Sequence, residues 1–306
     1  MHVIYDTIKF SRPGPCAITL GKFDGVHRGH RALVDSIQKY KNEENRGAET
    51  VVFSFDAASA TLLTKEERRA MLEEIGVDCL IECPFVPEII TTEAEDFVKD
   101  ILVQGLHAAY IAVGPDFHFG YKRMGDTELL RKLGKQYGFR VEVISRVTDH
   151  GREISSTRIR KCLEKGEMER VGEMLGYPFF VTGPVLHGKK IGRTLGFPTA
   201  NLIPGKDKLL PPNGVYAVRS AVGGRSYCGI TDIGTKPTVD GQFVGVETYL
   251  YGCDESTDLY GEKQKVELLH FLRPEKKFAS LEALKIQIEK DRESGKAFFP
   301  ENGQSR

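Results

Sequence analysis

Short apolar runs alternate with helical patterns along the first half of the 306-residue chain. Between the runs, apolar residues recur every three to four positions, as at Leu33, Ile37 and Tyr40, which places them on one helical face. Strands that alternate with helices are typical of a parallel sheet covered on both faces. The runs that predict strands are residues 17–20, 50–55, 79–82, 110–114 and 140–145.

Further helices are predicted over residues 65–75, 94–102, 158–165 and 167–175, the first of them ending at Gly76. From Tyr177 onward the pattern changes, because glycine and proline recur every few residues between short β-rich runs. This sequence pattern is typical of an antiparallel barrel or sandwich. Those runs are residues 215–218, 244–251 and 266–271.

A last amphipathic helix is predicted with Ser280 as its N-cap and with Leu281, Leu284 and Ile288 packed against the antiparallel sheet. The change of pattern divides the chain near residue 180. We therefore predict an α/β domain over residues 1–180, followed by an antiparallel β-barrel domain with a terminal helix over residues 181–306.

Composition excludes several classes of partner. The chain has 43 basic and 43 acidic side chains, so no overall field favours nucleic acid or an anionic membrane. No apolar run approaches the ~18 residues of a membrane span, and the start lacks a secretory pattern. The 6 scattered cysteines are predicted to be thiols, with Cys79 and Cys83 in the core rather than on a metal. These features predict a cytoplasmic protein without nucleic-acid or membrane partners.

One motif, Gly21-Lys22-Phe23-Asp24-Gly25-Val26-His27-Arg28-Gly29-His30, lies between a predicted strand and a predicted helix. Its glycines let the backbone approach a phosphate, and a helix N-terminus directs unpaired amides toward an anion. His27 and His30 would face that anion and donate hydrogen bonds as charge builds on phosphoryl oxygens. The spacing alone is equally compatible with a strand-to-helix turn that carries two solvated histidines.

A second helix start, Ser155-Ser156-Thr157-Arg158, follows the last predicted strand of this domain. Its hydroxyls, amides and guanidinium would close over a triphosphate from the opposite side. Together the two motifs resemble the nucleotidyltransferase superfamily, and more closely the adenylyltransferase module of the prokaryotic bifunctional riboflavin kinase/FAD synthetases. That resemblance implies a Rossmann-like domain that transfers AMP from ATP to FMN, with His27, His30 and Arg158 as catalytic residues. The ATP-binding and phosphate-binding residues that it implies are Gly21, Lys22, Phe23, Asp24, Gly25, Ser155, Ser156 and Thr157.

The stretch from Val113 to Asp126 resembles the flavin-side loop of that family, which implies flavin contacts for Asp116 and Phe117. The family usually has asparagine where Lys22 stands, arginine where His118 stands, and a Pro-His-Pro-like segment where this chain has Asp56-Ala57-Ala58. Lysine at position 22 keeps the ability to contact phosphate.

A second glycine-rich segment, residues 188–201, has chemistry different from that of the first. Its glycines would form a loop over phosphates, and its cationic side chains supply positive charge. The hydroxyl of Thr199 and the amide oxygen of Asn201 are hard ligands suited to Mg²⁺. The pattern Gly196-Phe197-Pro198-Thr199-Ala200-Asn201 resembles the signature of riboflavin kinases. The phosphate-binding residues predicted in this segment are Gly188, Lys189, Gly192, Arg193 and Gly196.

The riboflavin kinase resemblance also implies a general base. It makes Glu247 the carboxylate that takes the proton of the terminal ribityl hydroxyl. By strand alternation alone, a carboxylate flanked by valines is more often a paired or solvated strand residue than a base. Arg273, in the matching segment Phe271-Leu272-Arg273-Pro274-Glu275, is predicted to contact flavin.

The resemblances cover nearly the whole chain and imply a bifunctional enzyme that phosphorylates riboflavin to FMN and adenylylates FMN to FAD. ATP and Mg²⁺ would serve both steps, and the predicted partners are riboflavin, FMN and ATP. One alternative is a riboflavin kinase with an inactive N-terminal domain, against which the intact His27 and His30 argue. Another is a flavin-sensing regulatory protein, against which the intact Thr199, Asn201 and Glu247 argue. A nucleotidyltransferase acting on a non-flavin phosphate is disfavoured by the kinase-like second domain.

Overall fold

The computed structural model describes residues 1–55, 60–187, 197–238, 241–254 and 257–299. The chain forms two compact units, Met1–Ser156 and Thr157–Arg306. The helices over residues 156–175 cluster mainly with the second unit, whereas the sequence-based division assigned them to the first. The domain boundary at residue 180 stays a prediction.

The first unit is built on a six-stranded parallel sheet with strand order β1-β4-β3-β2-β5-β6. All five strands that the apolar runs predict are present, and the short first strand adds an edge that the sequence pattern did not indicate. The strands are β1 (His2–Ile4), β2 (Cys16–Gly21), β3 (Glu49–Phe55), β4 (Cys79–Cys83), β5 (Ala108–Val113) and β6 (Arg140–Val143). The parallel sheet is therefore confirmed.

Helices connect these strands and cover the sheet. Thr64 and Glu67 form a capping box at the start of α2, and Gly76 ends the helix with a positive φ of 81°, as its position predicted. The predicted helix over residues 94–102 forms as one α-turn that continues as a π-helix. The elements are α1 (Arg28–Glu43), α2 (Lys65–Glu74), α3 (Pro87–Ile90), α4 (Ala94–Asp96), the π-helix Phe97–Gly105, the 3-10 turn Tyr121–Arg123, α5 (Thr127–Tyr137) and the hairpin β7 (Thr148–Asp149) and β8 (Arg152–Glu153).

The core of the first unit lies between the sheet and these helices. It contains the buried strand residues Ile18, Phe53 and Ile111 with Phe97 and Leu102 from the π-helix. Cys79 and Cys83 are also fully buried in it, as predicted, and all six cysteines are free thiols.

The second unit is an antiparallel six-stranded sheet of order β10-β13-β12-β11-β14-β9. Leu186, just beyond β9, donates its amide to the Asn201 carbonyl at 2.7 Å, which brings the two edge strands together and partly closes a barrel. The predicted antiparallel barrel is confirmed. The elements are α6 (Ser156–Leu163), α7 (Met168–Leu175), β9 (Phe180–Pro184), β10 (Thr199–Leu202), β11 (Gly214–Val222), β12 (Arg225–Thr238), β13 (Gly241–Leu250), β14 (Lys263–Pro274) and α8 (Leu281–Phe298).

The last helix, α8, packs against this sheet as predicted, and the Ser280 hydroxyl caps it by accepting the Ala283 amide at 3.1 Å. The prediction was wrong for Leu281, which is 61% exposed. The helix contacts the sheet through its later turns, where Asp291 and Gly295 are its buried residues.

Candidate functional sites

The first site lies at the topological switch point of the parallel sheet. Strand β2 lies between β3 and β5, and the chain order of the strands reverses at the β2–β5 pair. Ligands of open α/β sheets bind outside the carboxyl ends of strands at such a point. Residues 22–27 follow β2 and residues 114–119 follow β5, so the glycine-histidine motif and the flavin-side loop both leave the sheet there.

The loop after β2 holds an unusual backbone. Phe23 and Val26 have positive φ angles of 48° and 37°, and Gly25 has 86°. A positive φ costs a β-branched or bulky residue of order 1–3 kcal/mol, and both Phe23 and Val26 are fully buried, which offsets this strain. Ser54 on β3 further fixes the loop by donating its hydroxyl to the Lys22 carbonyl at 3.1 Å.

Asp24 ties this loop to two other segments. Its carboxylate accepts the Leu62 amide at 2.7 Å, and its carbonyl accepts the Ser156 hydroxyl at 2.8 Å. The side chain is 8% exposed, so Asp24 supports the loop from within. Ser156, predicted to bind phosphate from a second helix start, is thereby brought to the glycine-histidine loop.

His27 and His30 stack on each other at the N-terminus of α1, with ring centroids 3.7 Å apart. His27 caps the helix, because its Nδ1 accepts the His30 amide at 3.3 Å. Its Cε1 would lie 3.1 Å from a Cβ added at Gly29, so glycine there makes room for the ring. The Nδ1 atom of His30 is buried and, among the described residues, has no hydrogen-bond partner.

Both imidazoles are neutral at pH 7 in the free protein. Burial lowers the pKa of His27 to about 4. Burial, and then the nearby His27, hold the pKa of His30 well below its ordinary value. Neutral imidazoles still donate one N–H each, and a bound phosphate would favour their protonated forms. Burial of both rings argues against two solvated histidines, and the anion site stays a prediction.

The other residues predicted for the first site lie before or on α6, or at the end of β2. Ser155 precedes α6, while Thr157 and Arg158 lie on α6 in the second unit. Their approach to a nucleotide stays a prediction. Gly21 ends β2, and Lys22 is exposed beside it. The departure at Asp56-Ala57-Ala58 lies outside the described residues.

The flavin-side loop after β5 carries one acid and one aromatic ring. Asp116 is exposed and accepts Arg146 on both carboxylate oxygens, at 2.5 and 2.6 Å. Phe117 stacks on the buried Phe119 with ring centroids 5.6 Å apart. His118 lies on the surface, where its Nδ1 is 2.9 Å from the Asp116 carbonyl oxygen.

The second site is assembled by strand register. Asn201 on β10 is paired with Glu247 on β13, and Glu247 is paired with Asp232 on β12. Paired residues share a face of an antiparallel sheet, as do Thr199 and Asn201 two positions apart. The face opposite to them is closed by the fully buried Thr248. The structure therefore brings the predicted metal ligands and the predicted base together.

The oxygen atoms of this face suit Mg²⁺. The Asn201 amide nitrogen donates to the Thr199 carbonyl at 3.2 Å, so the amide oxygen stays available to bind a metal ion. Hydroxyl, amide and carboxylate oxygens are the donors that Mg²⁺ prefers. The residues that would hold the ion are Thr199 and Asn201, with Glu247 beside them.

Sequence reasoning gave no role to two charged residues of this face, Asp232 and Lys236. The Lys236 ammonium lies 3.2 Å from Asp232 Oδ2 and 3.6 Å from Glu247 Oε1. Burial lowers the pKa of Lys236, but the two carboxylates outweigh that effect and raise it. The sequence feature that could have indicated these two residues is their spacing. Asp232, Gly234 and Lys236 alternate along one strand and therefore share a face.

Arg273 forms an ion pair within the second unit. It donates to both carboxylate oxygens of Asp291 on α8, at 2.8 and 2.6 Å. The hydrogen bond to Asp291 raises the pKa of Arg273. Flavin contact by Arg273 stays a prediction, and so do phosphate contacts by Gly188, Lys189, Gly192, Arg193 and Gly196, which lie outside the described residues.

These two units define a class of protein: an α/β unit with a histidine pair at its switch point, where such sheets bind ligands, joined to an antiparallel β unit with an oxygen-rich face. Within the described ranges, no helix is long and apolar enough to cross a membrane. The FAD synthetase family model matches residues 9–158, and the riboflavin kinase model matches residues 175–299. The chain belongs to the bifunctional riboflavin kinase/FMN adenylyltransferase family.

Curated relatives carry that bifunctional name. The chain is 39% identical to the protein of Escherichia coli strain K12 over 293 residues, which is 93% of each chain. It is 36% identical to the Haemophilus influenzae protein and 34% identical to the Listeria monocytogenes protein, over at least 92% of each chain. A solved structure described as a macrolide-efflux protein from Streptococcus pneumoniae is 29% identical, covers 95% of this chain and 96% of that one, and shares its fold with a TM-score of 0.83. The family resemblance of the motifs is confirmed.

Proposed function

We propose that the protein phosphorylates riboflavin to FMN in its second unit and adenylylates FMN to FAD in its first. The observation that carries this proposal is the register that places Asn201, Glu247 and Asp232 side by side, in a chain whose other unit stacks His27 on His30 at a switch point. Each site has chemistry suited to one of the two reactions named for its relatives.

In the kinase reaction, Glu247 accepts the proton of the terminal ribityl hydroxyl. The hydroxyl oxygen forms a bond to the γ-phosphorus of ATP, the bond from that phosphorus to the β,γ-bridging oxygen breaks, and ADP leaves with the electron pair. Thr199 and Asn201 would hold Mg²⁺, which neutralises phosphate charge when bound. Glu247 is 41% exposed on the sheet face, so a substrate hydroxyl has access to it.

In the adenylyltransferase reaction, a phosphate oxygen of FMN forms a bond to the α-phosphorus of ATP. The bond from that phosphorus to the α,β-bridging oxygen breaks, and pyrophosphate leaves with the electron pair. No proton needs to be removed from the attacking phosphate, so positioning and charge stabilisation supply the rate. His27 and His30 would donate their N–H groups to the phosphoryl oxygens, and the N-terminus of α1 would favour the negative charge.

We also propose a cytoplasmic location, with riboflavin, FMN and ATP as partners. Six free thiols are typical of a reducing compartment, and ATP is a co-substrate of both reactions.

The test is direct. The purified protein is incubated with ATP, Mg²⁺ and either riboflavin or FMN, and the products are separated by chromatography with fluorescence detection. FAD from both substrates is the expected result. FMN from riboflavin with no FAD from either substrate would identify a kinase with a silent first unit, and no product from either would favour a flavin sensor.

A further inference from the structure

Two glycines face each other across β12 and β13, beside the proposed base. Gly234 and Gly245 are paired in register. Gly234 lies two residues after Asp232, and Gly245 lies two residues before Glu247, so all four positions share one face of the sheet. Because neither glycine has a side chain, neighbouring side chains occupy this part of the face.

The stem of Lys236 lies against Gly245. A Cβ added at Gly245 would stand 3.2 Å from Lys236 Cγ and 3.6 Å from its Cε. A Cβ added at Gly234 would stand 2.9 Å from Glu275 Oε1 and 3.3 Å from Asp232 Oδ2. Glycine at position 245 therefore leaves room for the lysine stem, and glycine at position 234 leaves room for the neighbouring carboxylates.

The Lys236 ammonium lies closer to Asp232 than to Glu247. It makes a hydrogen bond with Asp232 Oδ2 at 3.2 Å and lies slightly farther, at 3.6 Å, from Glu247 Oε1. Within the described part of the chain, no group donates a hydrogen bond to Glu247 Oε2. Asp232 thus anchors the lysine, and Glu247 keeps one oxygen available to a substrate.

We propose that Lys236 is a positioning residue of the kinase reaction. Lying against Gly245 and anchored by Asp232, it orients the Glu247 carboxylate and offsets the repulsion between the two acids. This inference rests on the proposed function, in which Glu247 is the base.

The first test replaces the ammonium. Lys236→Met is expected to lower the kcat of FMN formation about 10- to 100-fold, because Glu247 is then no longer aligned with the ribityl hydroxyl. The KM for riboflavin is expected to stay unchanged. Lys236→Arg is expected to recover most of the loss, since a guanidinium reaches the same acids. Lys263→Met, at an exposed lysine on β14, is the matched control and is expected to keep wild-type kcat. Urea unfolding of each variant, compared with wild type, reports whether the second unit is folded.

The second test moves the lysine without removing it. Gly245→Ala places a methyl group against the Lys236 stem and is expected to lower kcat in the wild-type background. In the Lys236→Met background the same change is expected to add no further loss, because the two changes disturb one interaction. If Lys236→Met does not fold, Gly245→Ala with native Lys236 decides the question by its kcat alone.

Three results would overturn the inference: Lys236→Met with the kcat of Lys263→Met, a raised KM with unchanged kcat, or full additivity of Gly245→Ala with Lys236→Met. Wild-type protein that makes no FMN would instead overturn the proposed function, so the two failures are distinguishable.

Discussion

His27 has two roles in the first site. It caps α1 through Nδ1 and stacks on His30, so both rings are held in place before any nucleotide arrives. Because burial keeps both rings neutral in the free protein, they do not repel each other. In the proposed reaction, a bound phosphate would favour their protonation.

Replacing His30 tests this role. His30→Ala is expected to lower FAD formation from FMN by about 10²–10³-fold, the usual effect of losing one hydrogen-bond donor to transition-state charge. FMN formation from riboflavin is expected to continue at the wild-type rate, measured in the same chromatographic assay. Equal loss of both activities would contradict the assignment and indicate misfolding.

Glu247 is the corresponding residue of the kinase site. Glu247→Gln keeps the shape of the side chain but cannot accept a proton, so kinase turnover is expected to fall about 10²–10⁴-fold. Adenylylation of supplied FMN is expected to be unaffected. Wild-type kinase turnover in this variant would remove Glu247 from the mechanism.

The lowered pKa of His27 also predicts how stability depends on pH. Between its ordinary pKa of 6.5 and its folded pKa of about 4, the unfolded chain binds a proton that the folded chain does not. The free energy of unfolding should therefore fall as the pH drops through this window, by about 3 kcal/mol from this residue at its lower end. His30 acts in the same direction.

Urea unfolding at pH values across this window measures the effect. His27→Asn keeps a capping acceptor but removes the titration, so its stability should depend less steeply on pH. His2→Asn, at an exposed histidine on β1, is the control and should retain the wild-type dependence. An unchanged dependence in His27→Asn would contradict the prediction.

At the scale of elements, α8 is attached to the barrel by a polar contact as well as by packing. Asp291 is 5% exposed and accepts Arg273 twice and Gln287 once. Gly295 allows close approach, since a Cβ there would lie 2.3 Å from Ile230 Cγ2. The helix therefore depends on one buried ion pair and one small residue.

Removing the buried acid should be costly. Asp291→Ala leaves Arg273 without its carboxylate and is expected to lower the free energy of unfolding by about 3–5 kcal/mol, measured by urea unfolding. Glu289→Ala removes an exposed acid that pairs with Arg292 on the same helix, and should cost less than about 1 kcal/mol. Similar losses in both variants would contradict a special role for Asp291.

The sequence pattern predicts elements better than it predicts contacts. Continuous apolar runs located every central strand of the parallel sheet, because burial on both faces requires them. The π-helix at residues 97–105 was not predictable, since its hydrogen bonds leave little trace in periodicity. Asp232 was missed because its neighbour Glu247 is fifteen positions away and only the register joins them.

At the scale of the whole molecule, the histidine pair and the Glu247 face belong to different units. In the proposed mechanism each reaction is completed at its own site, so FMN made by one molecule is expected to serve another. A mixture of Glu247→Gln and His30→Ala proteins is expected to convert riboflavin to FAD, although neither variant does so alone. Chromatography of the mixture checks this, and FMN that accumulates without FAD would contradict free exchange.

The two-residue period of β13 has a consequence for insertions and deletions. Glu247 faces outward and Thr248 inward because of their positions in a strand paired on both sides. One residue added to β13 just before Glu247 would either turn the carboxylate toward the buried side or break the pairing with Asn201 and Asp232. Kinase activity should therefore be lost on a change in the length of β13 before Glu247, even where no residue of the site is replaced.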